Sequence, residues 1–133
     1  MFEMQFHHVS IKSGDIWRSL AFYEGLGFQV QTRFTAGITL GCWLAGHGMV
    51  LEILQVPEPK HCPDSFNDEH FVGYYHLSFV VEDLQQTLAD LLSKMGQLSM
   101  PLTPRKQIIG DRTYQTAFIR DPDGLPIELL QPC

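Results

Sequence analysis

His8-Val9-Ser10-Ile11 and His76-Leu77-Ser78-Phe79 read alike, and so do Leu51-Glu52-Ile53-Leu54-Gln55 and Ile127-Glu128-Leu129-Leu130-Gln131. Repetition of this kind decides the architecture before any single element is assigned. Each half opens on His-apolar-Ser-apolar and closes on apolar-Glu-apolar-Leu-Gln. Seven residues after each His stands an Asp, Asp15 or Asp83, directly ahead of a helical pattern. A short carboxylate there can cap exposed backbone N–H groups. Ile16, Leu20 and Phe22 or Tyr23 form the first apolar stripe, ended by Gly25 and Gly27. Leu84, Leu88, Leu91, Leu92 and Met95 form the second, ended by Gly96. Both stripes read as core packing.

Between helix and closing strand each half has room for two further strands. The pattern predicts them near 28–34 and 38–44, and near 98–104 and 113–120. The expected fold class is α+β, with two βαβββ modules in tandem. Module one spans about 4–56 and module two about 75–132, within one domain covering 1–133. The connection at about 57–74 carries Pro57, Pro59, Pro63, Asn67, Asp68 and Gly73, which are loop formers. A connection of that length usually carries function or mobility.

The composition bounds the function. The 133 residues are 44% hydrophobic and 18% charged, with a net charge of −6, a globular balance. An acidic chain without a Lys/Arg cluster offers no footprint for nucleic acid or an anionic membrane. No apolar run is long enough to span a bilayer. The first residues lack a basic segment followed by an apolar one, so no signal peptide is visible and a cytoplasmic location is expected. Cys42, Cys62 and Cys133 are odd in number and widely spaced, which reads as three reduced thiols.

Side chains alternate between the faces of a strand. Glu52 lies between Leu51 and Ile53, and Glu128 between Ile127 and Leu129. An ionised carboxylate in such a setting needs a cation, an Arg partner or water. One such Glu alone reads as a solvent-facing residue of an amphipathic strand. Two at equivalent places in a repeat, each with a His at the head of its half, read as ligands. If the halves pack by approximate two-fold symmetry, His8, Glu52, His76 and Glu128 meet at one point. Two neutral imidazoles and two carboxylates suit a borderline divalent ion, and nickel, zinc, cobalt, manganese and iron all qualify. The absence of thiolates argues against a closed structural zinc site. Four protein ligands on an octahedral ion leave positions for water or substrate. His7 competes with His8 but is expected on the opposite face. His47, His61 and His70 lie in turn or linker contexts and read as surface histidines, the linker pair being within reach of a substrate role.

These motifs resemble the vicinal oxygen chelate superfamily, which includes glyoxalase I, extradiol dioxygenases, and fosfomycin and bleomycin resistance proteins. The resemblance runs from His8-Val9-Ser10-Ile11 through Asp15, Phe22-Tyr23, Leu26-Gly27-Phe28 and Val50-Leu51-Glu52-Ile53. It continues through His76-Leu77-Ser78-Phe79 to Asp121-Pro122-Asp123-Gly124 and Ile127-Glu128-Leu129. It implies βαβββ modules forming a curved mixed sheet around one divalent metal ion. The order His, Glu, His, Glu is similar to bacterial glyoxalase I. That implies lactoylglutathione lyase, which isomerises the hemithioacetal of methylglyoxal and glutathione through an enediolate. By the same resemblance Glu128 is the catalytic base, Glu52 is a second base, the substrate is a small molecule such as a glutathione adduct, and the chain is a homodimer.

Two positions depart from the glyoxalase pattern. Lys12 stands where an Arg usually contacts the glutathione carboxylate, which keeps the charge and loses the bidentate fork. Val56 stands where an Asn is usual. Arg105, Lys106 and Arg112 are alternative anion contacts, or solvated surface charge. Other readings stay open: a ring-cleaving dioxygenase with His8, His76 and Glu128 as its iron triad, an epimerase, or a non-catalytic protein that binds a small molecule such as a drug.

Overall fold

Two aspartates start the helices. In a computed structural model, which describes residues 2–133, Asp15 is the N-cap of α1 (Ile16–Gly25), and its side chain accepts from the backbone N–H groups of Trp17 and Arg18. Asp83 caps α2 (Leu84–Met95) by accepting from Gln86. The first turn of each helix has a second tie. The Ile16 amide donates to Gln55 Oε1 at 2.8 Å and the Leu84 amide to Gln131 Oε1 at 2.7 Å. The repeated Leu-Gln thus fastens the closing strand of each module to the start of its helix.

The chain divides into two compact units, Met1–Lys60 and His61–Cys133. In the first, β1 (Val9–Ser13) is followed by α1, β2 (Gln29–Ala36), β3 (Thr39–Gly46) and β4 (Met49–Gln55). The sheet order is β1-β4-β3-β2, with β1 parallel to β4 and the other pairs antiparallel. The second repeats this with β5 (Leu77–Val80), α2, β6 (Leu102–Ile109), β7 (Arg112–Arg120) and β8 (Pro126–Pro132). Its order is β5-β8-β7-β6, with β5 parallel to β8. Two βαβββ modules in tandem are therefore observed, and the fold class is α+β.

In each unit the helix covers one face of its sheet. Ile16, Leu20 and Tyr23 of α1 are buried, as are Leu44, Leu51 and Ile53 of the sheet. In the second unit Leu84, Leu88 and Leu91 of α2 are buried, as are Ile119, Ile127 and Leu129. Burial of one Leu or Ile is worth about 1.5–3 kcal/mol, against about 1 kcal/mol for a cap. Packing therefore dominates the stability of each helix, and the caps fix where it starts. Gly27 follows α1 at φ +106°, and a Cβ there would lie 2.9 Å from His47 Nε2. His47 Nε2 lies 2.7 Å from the Leu26 carbonyl oxygen, so this exposed turn histidine holds the end of the helix.

Two expectations are corrected. The second strand of module two lies at Leu102–Ile109, not near 98–104. It is an edge strand, where prolines are tolerated because one side of the ladder needs no donor. Pro104 accordingly sits inside it, beside a register shift between Leu102 and Arg105. His7 does not point away from His8. Both precede β1, so strand alternation does not govern them, and their rings touch.

Removing one of the glutamine ties tests the packing of helix on strand. Gln55→Leu leaves the buried start of α1 short of an acceptor and is expected to lower stability by about 1–2 kcal/mol. Urea denaturation reads this as a lower midpoint at unchanged slope. An unchanged midpoint would mean that the bond adds nothing to folding.

Candidate metal half-sites

Parallel pairing sets the geometry on the sheet face opposite each helix. β1 and β4 align Ser10 with Glu52, and β5 and β8 align Ser78 with Glu128. The serine hydroxyls donate to the carboxylates, Ser10 Oγ to Glu52 Oε1 at 2.7 Å and Ser78 Oγ to Glu128 Oε1 at 2.8 Å. The histidine two residues before each serine reaches the same carboxylate. His8 Nε2 lies 3.6 Å from Glu52 Oε2, and His76 Nε2 lies 3.5 Å from Glu128 Oε1. The carboxylate side chains are 15% and 13% exposed, so both half-sites remain open to a small ligand.

His8 and Glu52 thus come together in the first unit, and His76 and Glu128 in the second. Among the described residues no group of three or more His, Cys, Asp or Glu side chains is arranged so that it could hold a metal ion. Each pair, taken alone, has suitable donor chemistry. Ligands bound to one ion at about 2.0–2.2 Å stand roughly 3–3.5 Å apart, near the observed nitrogen–oxygen separations. Neither gap is a hydrogen bond of ordinary length.

The pairs differ in what surrounds them. Trp43 lies opposite Glu52 across β3–β4 and its Nε1–H donates to Glu52 Oε2 at 2.8 Å. Phe118 holds the equivalent place opposite Glu128 and has no donor. Both oxygens of Glu52 are therefore held, while Ser78 is the hydrogen-bond donor to Glu128. The Trp43 bond, then the Ser10 bond, draw the Glu52 carboxyl below its ordinary range. Positive charge on His8 and His7 acts in the same direction, and partial burial opposes it. Just ahead of the two histidines, His7 packs edge-on to His8 and Trp43, and Tyr75 packs edge-on to His76 and stacks on Phe118. Burial raises the Tyr75 phenol, Glu128 and Glu69 raise it further, and Arg105 opposes them.

The predicted anion contacts separate into groups. Lys12 lies two residues beyond Ser10 on β1 and so shares its face. Arg105 pairs with Thr116, two positions along β7 from Phe118, and acts on Tyr75. Lys106 and Arg112 instead line a groove with Asp111, Thr113, Tyr114 and the last two residues. His61 and His70 are exposed in the connection. Nearby, Asp64 forms an ion pair with Arg120 at 3.0 Å, and the Arg120 guanidinium lies over the Phe66 ring.

Sequence reasoning quoted Ser10 and Ser78 without giving them a role. The signal was present, since both stand two residues after the histidine, but their role depends on the parallel register. Trp43 had no signal of this kind, because its counterpart is Phe118.

Residues 5–129 match the Glyoxalase/Bleomycin resistance protein/Dioxygenase superfamily, and the chain belongs to that family. It is 32% identical over 133 residues to the uncharacterized protein YaeR of Escherichia coli (strain K12), covering 96% of this chain and 95% of that one. It is 30% identical to a "Probable lactoylglutathione lyase" of Synechocystis sp. (strain ATCC 27184 / PCC 6803 / Kazusa), covering 93% and 92% of the two chains. The crystal structure of a glyoxalase family protein from Enterococcus faecalis superposes with a TM-score of 0.80 at 28% identity, covering 98% of this chain and 100% of that one.

The tryptophan bond has a measurable consequence. A carboxyl whose folded value is depressed contributes stability that is full above its unfolded value and is lost as pH falls through the folded one. Trp43→Phe removes the largest cause of that depression. The Glu52 midpoint, followed by carboxyl carbon-13 chemical shift in metal-free protein, is expected to rise toward the ordinary glutamate range. A midpoint equal to wild type would assign the depression elsewhere.

Proposed function

We propose that this chain is a metal-dependent isomerase of the glyoxalase I type, acting on a hemithioacetal-like α-hydroxy or α-keto substrate. In this reading His8, Glu52, His76 and Glu128 hold one divalent ion, the substrate is a small molecule of the glutathione-adduct type, and the working unit is a homodimer. The observation that carries it is the repeated imidazole–carboxylate pair, 3.6 Å apart in one module and 3.5 Å in the other. The repeat favours Glu52 as a member of the donor set rather than a spectator beside a three-ligand iron site.

Such an ion, when bound, supplies Lewis-acid charge for the vicinal oxygens of the substrate. The proton transfer is the work of a side chain. Glu128 takes the proton from C1, giving the enediolate, and returns one to C2. The different surroundings of the two glutamates support that assignment. Trp43 and Ser10 hold both oxygens of Glu52, whereas Glu128 is held through Oε1 and its Oε2 has freedom to reach a substrate carbon acid. Glu52, in the same reading, is the fixed ligand and the second base. Lys12 and Arg105 lie on the carboxylate faces of their sheets and supply the substrate's anion contacts. Lys106 and Arg112 are more remote candidates for the same task.

The test is hemithioacetal isomerisation by protein reconstituted with nickel, cobalt or zinc. Turnover is expected with at least one of them, and Glu128→Gln is expected to lower kcat by roughly 100- to 10,000-fold, the usual share of general base catalysis. Full activity in that variant would remove Glu128 as base. Binding of substrate analogues with no turnover under any metal would replace the enzyme by a binding protein.

A further inference from the structure

We propose that His7 is a positioning residue that holds His8 in the tautomer able to ligate metal through Nε2. The inference rests on the metal-binding reading above and gives a role to a residue outside its donor set.

His7 Nδ1 and His8 Nδ1 lie 2.7 Å apart. At that distance one nitrogen carries the proton and the other accepts it. Two neutral arrangements satisfy the contact. In one, His8 donates from Nδ1 and its Nε2 is a bare lone pair. In the other, His7 donates and His8 carries its proton on Nε2.

The surroundings choose the first. An Nε2–H on His8, a side chain 28% exposed, would have to donate to water, since the nearby carboxylate oxygen, Glu52 Oε2, is 3.6 Å away, longer than a hydrogen bond. That oxygen already accepts from Trp43 Nε1 at 2.8 Å. A bare Nε2 facing a carboxylate oxygen is instead the arrangement that a cation completes. His7, accepting at Nδ1, carries its own proton on Nε2, where its exposed ring can give it to water. Trp43 braces the arrangement, since its ring packs 5.0 Å from His7 and 5.7 Å from His8 between centroids.

The second module lacks every part of this device. Tyr75 replaces His7 and packs against His76 at 4.4 Å. Phe118 replaces Trp43. His76 Nδ1 is buried with no hydrogen-bond partner among the described residues. A ligand histidine whose other nitrogen has a partner is fixed in orientation and tautomer, and such outer partners are typically worth about 10–100-fold in metal affinity. The first half-site therefore anchors the ion, and the second holds it more loosely.

Two measurements decide this. Long-range proton–nitrogen-15 correlation spectra of metal-free protein, with both imidazoles neutral, are expected to show His8 protonated at Nδ1. In His7→Phe they are expected to show it protonated at Nε2. Zinc affinity, read by competition with a chromogenic chelator, is expected to fall about 10–100-fold in His7→Phe. His7→Asn, whose amide oxygen can stand where Nδ1 accepts, is expected to stay within about threefold of wild type. A wild-type His8 protonated at Nε2, or equal zinc affinity in His7→Phe, overturns the proposal. If even the wild-type protein fails to bind zinc, nickel and cobalt, the metal reading itself fails, while the spectra still decide the tautomer.

Discussion

A carboxylate set between two buried aliphatic side chains of a strand needs partners on the face to which it points, and everything distinctive about this molecule follows from how that need is met. In both modules the neighbouring parallel strand provides a serine hydroxyl at bonding distance, and the residue just before that strand provides an imidazole a little farther off. The parallel register is what allows this. It sets each serine beside its glutamate, and the helix that follows the opening strand is fastened to the end of the closing strand by a glutamine. Fold and candidate site are thus two consequences of one βαβββ connection.

The duplicated frame carries two different sets of supporting groups. Trp43 gives Glu52 a second hydrogen bond and His7 gives His8 a partner. At the matching places Phe118 has no donor to offer Glu128, and Tyr75 and Phe118 meet His76 through ring contacts. A carboxylate with both oxygens engaged loses energy when it moves, because a hydrogen bond to a charged group contributes roughly 1.5–3 kcal/mol. One held by a single oxygen turns more easily. Duplication alone would give two identical half-sites, whereas the proposed proton transfer calls for a fixed ligand and a base with freedom to move. The aromatic positions beside the two histidine–glutamate pairs are where the modules differ.

Much of this was readable in the chain. The capping aspartates, the apolar stripes of both helices and the closing Glu-apolar-Leu-Gln appear twice, and a pattern seen twice is hard to mistake for composition. The edge strand was expected near 98–104 and lies at Leu102–Ile109, since its bounds depend on pairing at a sheet edge that tolerates Pro104. His7 was placed on the wrong face because alternation was extended to residues that precede the strand. Trp43 could not be found by repetition, since the property that matters is its difference from Phe118. The histidine–glutamate pairs were legible because the motif around each histidine and each glutamate recurs in both halves, and the roles of the serines became visible once strand pairing was known.

The claim that underlies the account is that both half-sites serve the same ion. X-ray absorption at the metal edge of zinc- or nickel-loaded protein tests it most directly, because imidazole rings leave a distinctive multiple-scattering signature. The account predicts one ion per set of four ligands, in a nitrogen and oxygen shell with two imidazoles and no sulfur. A shell with one imidazole or none, or with sulfur, would contradict it.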